Sequence, residues 1–283
     1  MRRTQKKIAS HGAEICTEAF GEPGDPAILL IMGNMASMLW WPDELCERLA
    51  ERARFVIRYD NRDTGLSTSY EPGKPAYTLD DLGDDAVAVL DGYGVGRAQV
   101  VGMSLGGLIA QFVAREHPER VAGVVAISTT PLGATDLPDP DPAYAQHAAA
   151  AFEGVDWSER RALLEPIVED ARQLAGSRHP FDEAAARDLV TRDLERTLSP
   201  QSLVNHGLLT AGERWQDGGR VIDAPFVVIH GTADPIFPYP HGEALANAVP
   251  GAVLVTVEGG GHELHERDWD QILDAVLSLA GRT

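Results

Sequence analysis

Short apolar runs rich in valine and isoleucine recur along the chain, and they constrain its fold more than any other feature. The runs lack the alternation of apolar and polar residues that marks a strand with one face in water, so they are typical of strands buried on both faces. Helical patterns lie between most of them, and alternating strands and helices indicate βαβ units and a parallel sheet. The runs span residues 27–32, 55–59, 99–102, 124–127, 226–230 and 253–257.

Two local patterns add detail to this α/β prediction. Residues 12–20 follow a two-residue alternation, which favours an antiparallel hairpin at the edge of the sheet. The segment 78–90 begins with a capping-box-like arrangement of Thr78 and Asp81, and its apolar residues lie near one face of a helix. This segment is predicted to be one of the helices that connect parallel strands.

The alternation of strands and helices stops after Ile127 and resumes only much later in the chain. Residues 130–224 show no strand pattern, because a proline-rich segment, 137–142, leads into helical patterns such as 157–173 and 181–198. An insertion that follows a parallel strand is expected to cover the edge of the sheet at which that strand ends. The sequence therefore predicts an α/β core of residues 1–129 and 225–283, with a helical cap subdomain of residues 130–224 inserted after the sixth strand.

The charge balance argues against two classes of partner. The 283 residues include 43 acidic and 24 basic side chains, which give a formal charge of −19 at pH 7 and a pI near 4.8. Nucleic acids and anionic membranes bind proteins through positive fields. Neither is an expected partner, whereas a small molecule is.

The cysteines and the N-terminal residues favour a cytoplasmic location. Cys16 and Cys46 are too few for a disulfide framework and have no zinc-site spacing. Residues 1–7 are basic like the start of a signal peptide, but no apolar segment follows them. No run approaches the roughly 18 apolar residues of a membrane span. We expect a reducing, cytoplasmic environment.

The segment Gly102-Met103-Ser104-Leu105-Gly106 is the only GxSxG pattern in the chain. It follows a predicted buried strand and opens a helical pattern, which is the strand–turn–helix context of a nucleophile elbow. Small residues on both sides let the chain turn sharply and hold the serine in a strained conformation. The alternative is a glycine-rich turn without chemistry. The context predicts that Ser104 is a nucleophile.

A serine nucleophile needs a base near pH 7, and the base needs an acid that fixes its tautomer. Asp234 lies in the loop after the predicted strand 226–230, and His262 follows the strand 253–257 through three glycines. The order Ser104, Asp234, His262 is the nucleophile–acid–base order expected for strand–turn–helix serine hydrolases. We predict that these three residues form a catalytic triad.

The negative charge that develops on a carbonyl oxygen needs hydrogen-bond donors fixed in advance. One predicted donor is the backbone N–H of Leu105, next to the nucleophile. The other is the backbone N–H of Asn34, in the loop after the predicted strand 27–32, where Gly33 allows close approach of the backbone.

Six segments of the chain have a characteristic sequence, and they are Met103-Ser104-Leu105-Gly106-Gly107, His230-Gly231-Thr232-Ala233-Asp234, Gly260-Gly261-His262, Ile31-Met32-Gly33-Asn34, Trp41-Pro42-Asp43-Glu44 and Tyr59-Asp60-Asn61-Arg62-Asp63-Thr64-Gly65-Leu66-Ser67-Thr68. The first three resemble the α/β-hydrolase family, and the other three are similar, within it, to small bacterial hydrolases of the aclacinomycin methylesterase type. The resemblance covers residues 14–129 and 225–280 and does not extend over the cap. It implies a mostly parallel eight-stranded sheet flanked by helices, with a helical cap. Met32 departs from the family pattern, since many members have a histidine there.

Two further groups of residues have the composition of a binding site. Met35, Trp40 and Trp41, beside the predicted oxyanion loop, are predicted to line a substrate pocket, with packing under the cap as the alternative. His262 and His265 lack the HExxH spacing of a zinc helix, so no metal site is predicted.

These features predict a serine hydrolase that cleaves a carboxylic ester through an acyl-enzyme, without a metal or an organic cofactor. A methyl ester of a polyketide-like small molecule is the substrate that the resemblance implies. Lactonase, thioesterase, carbon–carbon bond hydrolase and perhydrolase activities share the same triad and remain alternatives. A noncatalytic receptor or scaffold on the same fold is the non-enzyme alternative, and it would be expected to lack one of the three triad residues. The oligomeric state is left open.

Overall fold

Eight strands form one sheet in the computed structural model, which describes residues 2–216 and 221–279. The first strand pairs antiparallel with the second, the second pairs antiparallel with the fourth, and all other neighbours are parallel. The strands are β1 (Arg3–Ser10), β2 (Ala13–Phe20), β3 (Ala27–Ile31), β4 (Phe55–Tyr59), β5 (Ala98–Met103), β6 (Val121–Ile127), β7 (Phe226–Gly231) and β8 (Val253–Val257), and their order in the sheet is β1-β2-β4-β3-β5-β6-β7-β8.

Helices cover both faces of this sheet, as predicted for buried parallel strands. One core cluster lies between the sheet and three helices through residues such as Leu82, Phe112 and Leu245. A second cluster lies on the other face and includes Leu45 and Ile272. The helices outside the insertion are α1 (Asp43–Ala50), α2 (Leu79–Gly92), α3 (Leu105–Glu116), α8 (Pro240–Ala248) and α9 (Trp269–Leu277).

The sequence patterns located most elements to within a few residues. Strands β4 and β8 have the predicted bounds, and α2 begins after Thr78, whose side chain and that of Asp81 form the predicted capping box. Strand β1 was not predicted, because its polar and basic residues show no apolar pattern and most of them are exposed. It forms the predicted edge hairpin by pairing with β2 along its whole length.

Between β6 and β7 the described residues form helices and no strand, in agreement with the predicted helical insertion. Two of these helices pack together through a small cluster of buried residues, Leu163, Val168, Val190 and Leu194. We call residues 130–224 "the cap". That they form a separate subdomain stays a prediction. Its helices are α4 (Pro142–Ala150), α5 (Arg160–Leu174), α6 (Glu183–Arg196) and α7 (Glu213–Gln216), with a 3₁₀ segment at Pro200–Leu208.

Two further observations bear on the environment of the chain. Cys16 and Cys46 are both buried free thiols. None of the helices in the described ranges has the length and apolar character that a membrane crossing requires.

Candidate functional site

Ser104 lies at the turn between β5 and α3, in a backbone conformation with φ 56° and ψ −121°. A positive φ is unfavourable for a residue with a side chain and indicates a strained turn. Two contacts hold the strained residue, since its N–H donates to the carbonyl of Ile127 (2.9 Å) and its carbonyl accepts from the Thr129 hydroxyl (2.8 Å). The turn therefore has the geometry predicted for a nucleophile elbow.

The glycines around Ser104 are required by close backbone contacts. A Cβ at Gly102 would lie 2.0 Å from the carbonyl oxygen of Gly106, and a Cβ at Gly106 would lie 2.1 Å from the carbonyl oxygen of Ile31. Both distances are far below van der Waals contact, so any larger residue would force the strand and helix apart. This is the physical reason for the spacing of the GxSxG pattern.

Asp234 and His262 are hydrogen-bonded to each other at the C-terminal ends of β7 and β8. His262 Nδ1 lies 2.9 Å from Asp234 Oδ2. The other carboxylate oxygen, Oδ1, accepts the N–H groups of Ile236 and Phe237, each at 2.9 Å. Both partners are buried, so the carboxylate holds Nδ1 as a donor and leaves Nε2 free to act as a base.

The charge of Asp234 is stabilised by its surroundings. Burial by itself would raise the pKa of this carboxyl, but the charge and hydrogen bond of His262, with smaller contributions from His230 and the Phe237 N–H, lower the pKa below its ordinary value. Asp234 is therefore ionised near neutral pH. An ionised carboxylate would stabilise the positive charge of the imidazolium that forms when a histidine acts as a base.

The third contact of a triad, between the serine and the histidine, is not formed as a hydrogen bond among the described residues. Within the described residues, Ser104 Oγ makes no hydrogen bond, to His262 or to any other group. Catalytic hydrogen bonds are often long before substrate binds and shorten in the reacting complex. The elbow and the Asp234–His262 pair lie at the same edge of the sheet, because β5, β6, β7 and β8 are consecutive parallel neighbours.

The two N–H groups predicted as oxyanion donors are both unengaged in the described part of the chain. The amides of Leu105 and Asn34 donate no hydrogen bond, whereas that of Met35 donates to His206 Nδ1 (3.0 Å). The loop carrying Asn34 also lies against the nucleophile, since a Cβ built on Gly33 would be 3.6 Å from Ser104 Oγ. These contacts favour Asn34 over Met35 as the second donor.

The predicted substrate-pocket residues have different environments. Trp41 is only 1% exposed and packs in the core between the sheet and its helices, which disfavours the predicted pocket role and differs from packing under the cap. Trp40 contacts both this core and the cap, and its indole N–H donates to Asp193 of α6 (2.8 Å). Met35 is partly buried, with φ 59°. A pocket role for Met35, Trp40 and Trp41 stays a prediction.

A cleft of about 550 Å³ lies beside the loop that carries Asp234. Its other wall is the segment 139–142, where the chain enters helix α4 of the cap. Neither Ser104 nor His262 lines it. The cleft is thus a groove beside Asp234 rather than a chamber over Ser104.

Three buried histidines were not assigned partners from the sequence, and each bonds to a residue in a loop. His206 bonds to Met35, His230 Nε2 donates to the carbonyl of Phe237 (2.7 Å), and His241 Nδ1 contacts the Thr130 hydroxyl (2.8 Å). Their partners are distant in sequence or lie across irregular loops, so no local pattern could have identified them.

Two polar cap residues lie within electrostatic reach of the Asp234–His262 pair. Asp170 of α5 is bonded to His147 (3.2 Å), and its carboxyl pKa is raised by burial, with partial compensation by His147 and His262. The pKa of the Tyr144 hydroxyl is raised by burial and by the charges of Asp170 and Asp234. These side chains place a carboxylate and a hydroxyl on the cap side of the site.

One group of side chains has the composition of a metal site. His179, His265 and Asp268 bring potential ligand atoms within 4.8 Å of one another in the described ranges. Competing contacts already occupy them, since His265 Nδ1 accepts the N–H of Arg267 (3.2 Å) and the Arg178 guanidinium lies 3.0 Å from Asp268. The group connects the cap to the core, and the triad shares no residue with it.

We expect activity to be unaffected by EDTA and by added zinc. The predicted nucleophile, base and two oxyanion donors would be sufficient for acyl transfer without a metal. The measurement is the initial rate of ester hydrolysis by about micromolar protein after dialysis against chelator. The rate is compared without added metal and with zinc at about 10- to 100-fold the protein concentration. Loss of activity on chelation, restored by a divalent cation, would contradict this mechanism.

The family assignment agrees with this geometry. The family pattern described as the alpha/beta hydrolase fold matches residues 26–268. The chain is 36% identical over 279 residues to rhodomycin D methylesterase DnrP of Streptomyces peucetius, with 92% of each chain covered.

Solved structures show the same fold. The esterase RhEst1 from Rhodococcus sp. ECU1013 has a TM-score of 0.77 at 20% identity, with 99% of each chain covered. The 2-hydroxy-6-oxo-6-phenylhexa-2,4-dienoate hydrolase of Rhodococcus sp. strain RHA1 has a TM-score of 0.74 at 19% identity, covering 100% of this chain and 99% of the other. At these identities the likeness concerns the fold alone, which hosts several reactions. The family match and the relative that is similar over nearly its whole length show that the chain belongs to the α/β-hydrolase family.

Proposed function

We propose that this protein is a serine esterase that hydrolyses a carboxylic ester, with Ser104, His262 and Asp234 as its catalytic triad. The observation that carries the proposal is the 2.9 Å bond between His262 and Asp234 at the sheet edge where Ser104 occupies a strained elbow. All three residue types of the triad are retained, which disfavours a noncatalytic scaffold.

The reaction follows from these positions. Ser104 Oγ attacks the ester carbonyl carbon while His262 Nε2 takes the hydroxyl proton. The carbonyl oxygen becomes negative and accepts hydrogen bonds from the N–H groups of Leu105 and Asn34. The C–O bond to the alcohol then breaks as His262 returns the proton to the leaving oxygen. A water molecule repeats the sequence on the acyl-enzyme and releases the carboxylic acid and free Ser104.

A methyl ester on a polyketide-like small molecule is the substrate class we propose. The support is the 36% identity to a protein named rhodomycin D methylesterase, which extends over 92% of this chain. The matching length includes the cap region, which is expected to line the substrate site in this fold. We place the reaction in the cytoplasm, consistent with the two free thiols.

A substrate panel tests the reaction class. It contains p-nitrophenyl esters of increasing acyl length, aromatic polycyclic methyl esters, lactones and acyl thioesters, compared by kcat/KM. We expect kcat/KM to be higher for the polycyclic methyl ester than for the lactones and the acyl thioesters. Preference for lactones or thioesters by more than about tenfold, or about 1.4 kcal/mol, would contradict the ester assignment in favour of the corresponding alternative.

We expect Asp170→Asn to change the choice of ester. Its carboxylate lies on the cap side of the site and interacts electrostatically with His262, so it favours a substrate bearing a positive charge. At pH 8 the preference for a cationic over a neutral ester of equal size should fall by about tenfold, the effect of one partly buried charge. The matched control is Asp188→Asn, an exposed acid on α6 that pairs with Arg192. An unchanged preference in Asp170→Asn, or the same change in both variants, would contradict this role.

A further inference from the structure

We propose that His206, in the 3₁₀ segment of the cap, is a positioning residue that fixes the oxyanion loop beside Ser104. The proposal rests on the function given above and assigns part of the catalytic geometry to the cap. It concerns the segment 32–38, which we call the oxyanion loop. The carrying observation is the hydrogen bond from the Met35 N–H to His206 Nδ1, at 3.0 Å and across 171 residues of sequence.

His206 is buried and has a single tautomer compatible with its contacts. Its Nε2 lies 2.7 Å from the carbonyl oxygen of Arg62, so this nitrogen carries the proton and donates. Nδ1 is then an unprotonated acceptor and receives the Met35 N–H. Burial lowers the pKa of His206, which keeps the ring neutral near pH 7 and preserves this donor–acceptor arrangement.

Neighbouring residues hold the histidine itself in place. Asn205 donates to Asp63 (3.0 Å) and accepts from the Gly73 N–H (2.7 Å), and Ser202 donates to the carbonyl of Tyr70 (2.7 Å). Asn205 and Ser202 are fully buried. The 3₁₀ segment is therefore fixed to the core loop that follows β4, and His206 projects from a rigid support rather than from a mobile lid.

The oxyanion loop needs such support. Met35 has φ 59°, a left-handed conformation that is costly for a residue with a side chain. Core residues hold the two ends of the loop, where Asn61 donates to the Met32 carbonyl (3.1 Å) and Asp60 accepts the Met38 N–H (2.9 Å). Among the described residues, His206 makes the only hydrogen bond to a backbone group in the middle of the loop, residues 33–36, and this bond is adjacent to the peptide that carries the Asn34 N–H.

The consequence is that the cap takes part in transition-state stabilisation as well as in substrate choice. If the Met35 N–H loses its acceptor, the strained residue can rotate and move the neighbouring Asn34 N–H away from the oxyanion. Loss of an oxyanion donor costs about 10²- to 10³-fold in kcat, and displacement of one by about 1 Å costs up to about 10²-fold. We therefore expect an effect of about 10- to 100-fold on kcat with little change in KM.

Two substitutions separate positioning from packing. His206→Asn keeps an acceptor at the place of Nδ1, because the amide oxygen of asparagine overlaps that atom, and it should retain kcat within about threefold. His206→Gln places its amide at the position of Nε2 and removes the acceptor for Met35, so its kcat should fall about 10- to 100-fold. His117→Gln is the matched control, since His117 lies at the opposite end of α3 from Ser104.

The readouts are kcat and KM for a p-nitrophenyl ester, the inhibition constant of an alkyl trifluoromethyl ketone, and thermal unfolding. The hemiketal oxygen of the ketone occupies the oxyanion position, so its inhibition constant should rise with the fall in kcat of His206→Gln. The exchange rate of the Met35 amide hydrogen in the unmodified protein is a further readout. It requires neither catalytic turnover nor a correctly folded variant. A protected Met35 amide supports the contact.

Four results would overturn the role of His206. One is a Met35 amide that exchanges as fast as an unbonded amide. A second is a His206→Gln variant with unchanged kcat and inhibition constant. A third is an equal fall in activity of His206→Asn and His206→Gln that follows their loss of thermal stability. A fourth is a His206→Gln variant in which KM rises while kcat is unchanged. If the unmodified protein neither hydrolysed esters nor reacted at Ser104 with a fluorophosphonate ester, the proposed function would be overturned instead. The exchange rate of the Met35 amide would still decide whether the contact exists.

Discussion

Ser104→Ala is expected to lower ester turnover by about 10⁴-fold or more, because what remains after loss of a triad residue is the contribution of the oxyanion hole and of binding. The fold should be preserved. Ser104 Oγ makes no hydrogen bond within the described residues, and the strained turn is held by backbone contacts to Ile127 and Thr129 that alanine retains. The measurement is kcat/KM for a p-nitrophenyl ester, together with thermal unfolding.

Ser128→Ala is the matched control for this experiment. Ser128 directly follows the adjacent strand β6 and also has a positive φ, of 45°, so the substitution repeats the chemical change in a similar backbone conformation. We expect it to keep activity within about threefold, since the change removes no group of the triad or oxyanion hole. If Ser104→Ala kept more than about a tenth of the original activity, Ser104 would not be the nucleophile.

Asp234→Asn is expected to lower kcat by about 10⁴-fold with little effect on folding. The structure predicts how the amide would orient. Two backbone N–H groups, of Ile236 and Phe237, point at the Oδ1 position and require an acceptor there. The amide oxygen must therefore take that position, which directs the NH₂ group toward His262 Nδ1.

The imidazole is then forced into the unproductive tautomer. Nδ1 must accept from the new amide, so the proton moves to Nε2 and this nitrogen can no longer take the proton of Ser104. Asp188→Asn serves as the charge-matched control on the protein surface. Activity of Asp234→Asn above about 1% of the original would show that another carboxylate orients His262.

The sequence allowed prediction of those parts of the fold that depend on local patterns. The bounds of β4 and β8, the capping box of Thr78, and the strand–turn–helix around Ser104 follow from runs of fewer than about fifteen residues. The Asp234–His262 contact was predicted because both residues follow buried parallel strands, whose ends meet at one edge of the sheet.

The remaining features depend on contacts between distant segments. Met35 and His206 are separated by 171 residues, and no periodicity relates an acceptor in the cap to a donor in a core loop. Trp40 and Trp41 show that sequence patterns are limited in the same way for adjacent residues. No pattern could indicate that Trp40 contacts the cap while Trp41 is buried in the core. Strand β1 was missed because pairing with β2 stabilises it, whatever its own composition.

Covalent labelling tests the proposed nucleophile most directly. The protein is treated with a fluorophosphonate ester, digested, and mapped by mass spectrometry while residual esterase activity is followed. We expect one phosphonyl group per chain, on the peptide that contains Ser104, with activity lost in proportion to labelling and no adduct in Ser104→Ala. An adduct on another residue that abolishes activity, or full activity after Ser104 is labelled, would contradict the proposed triad.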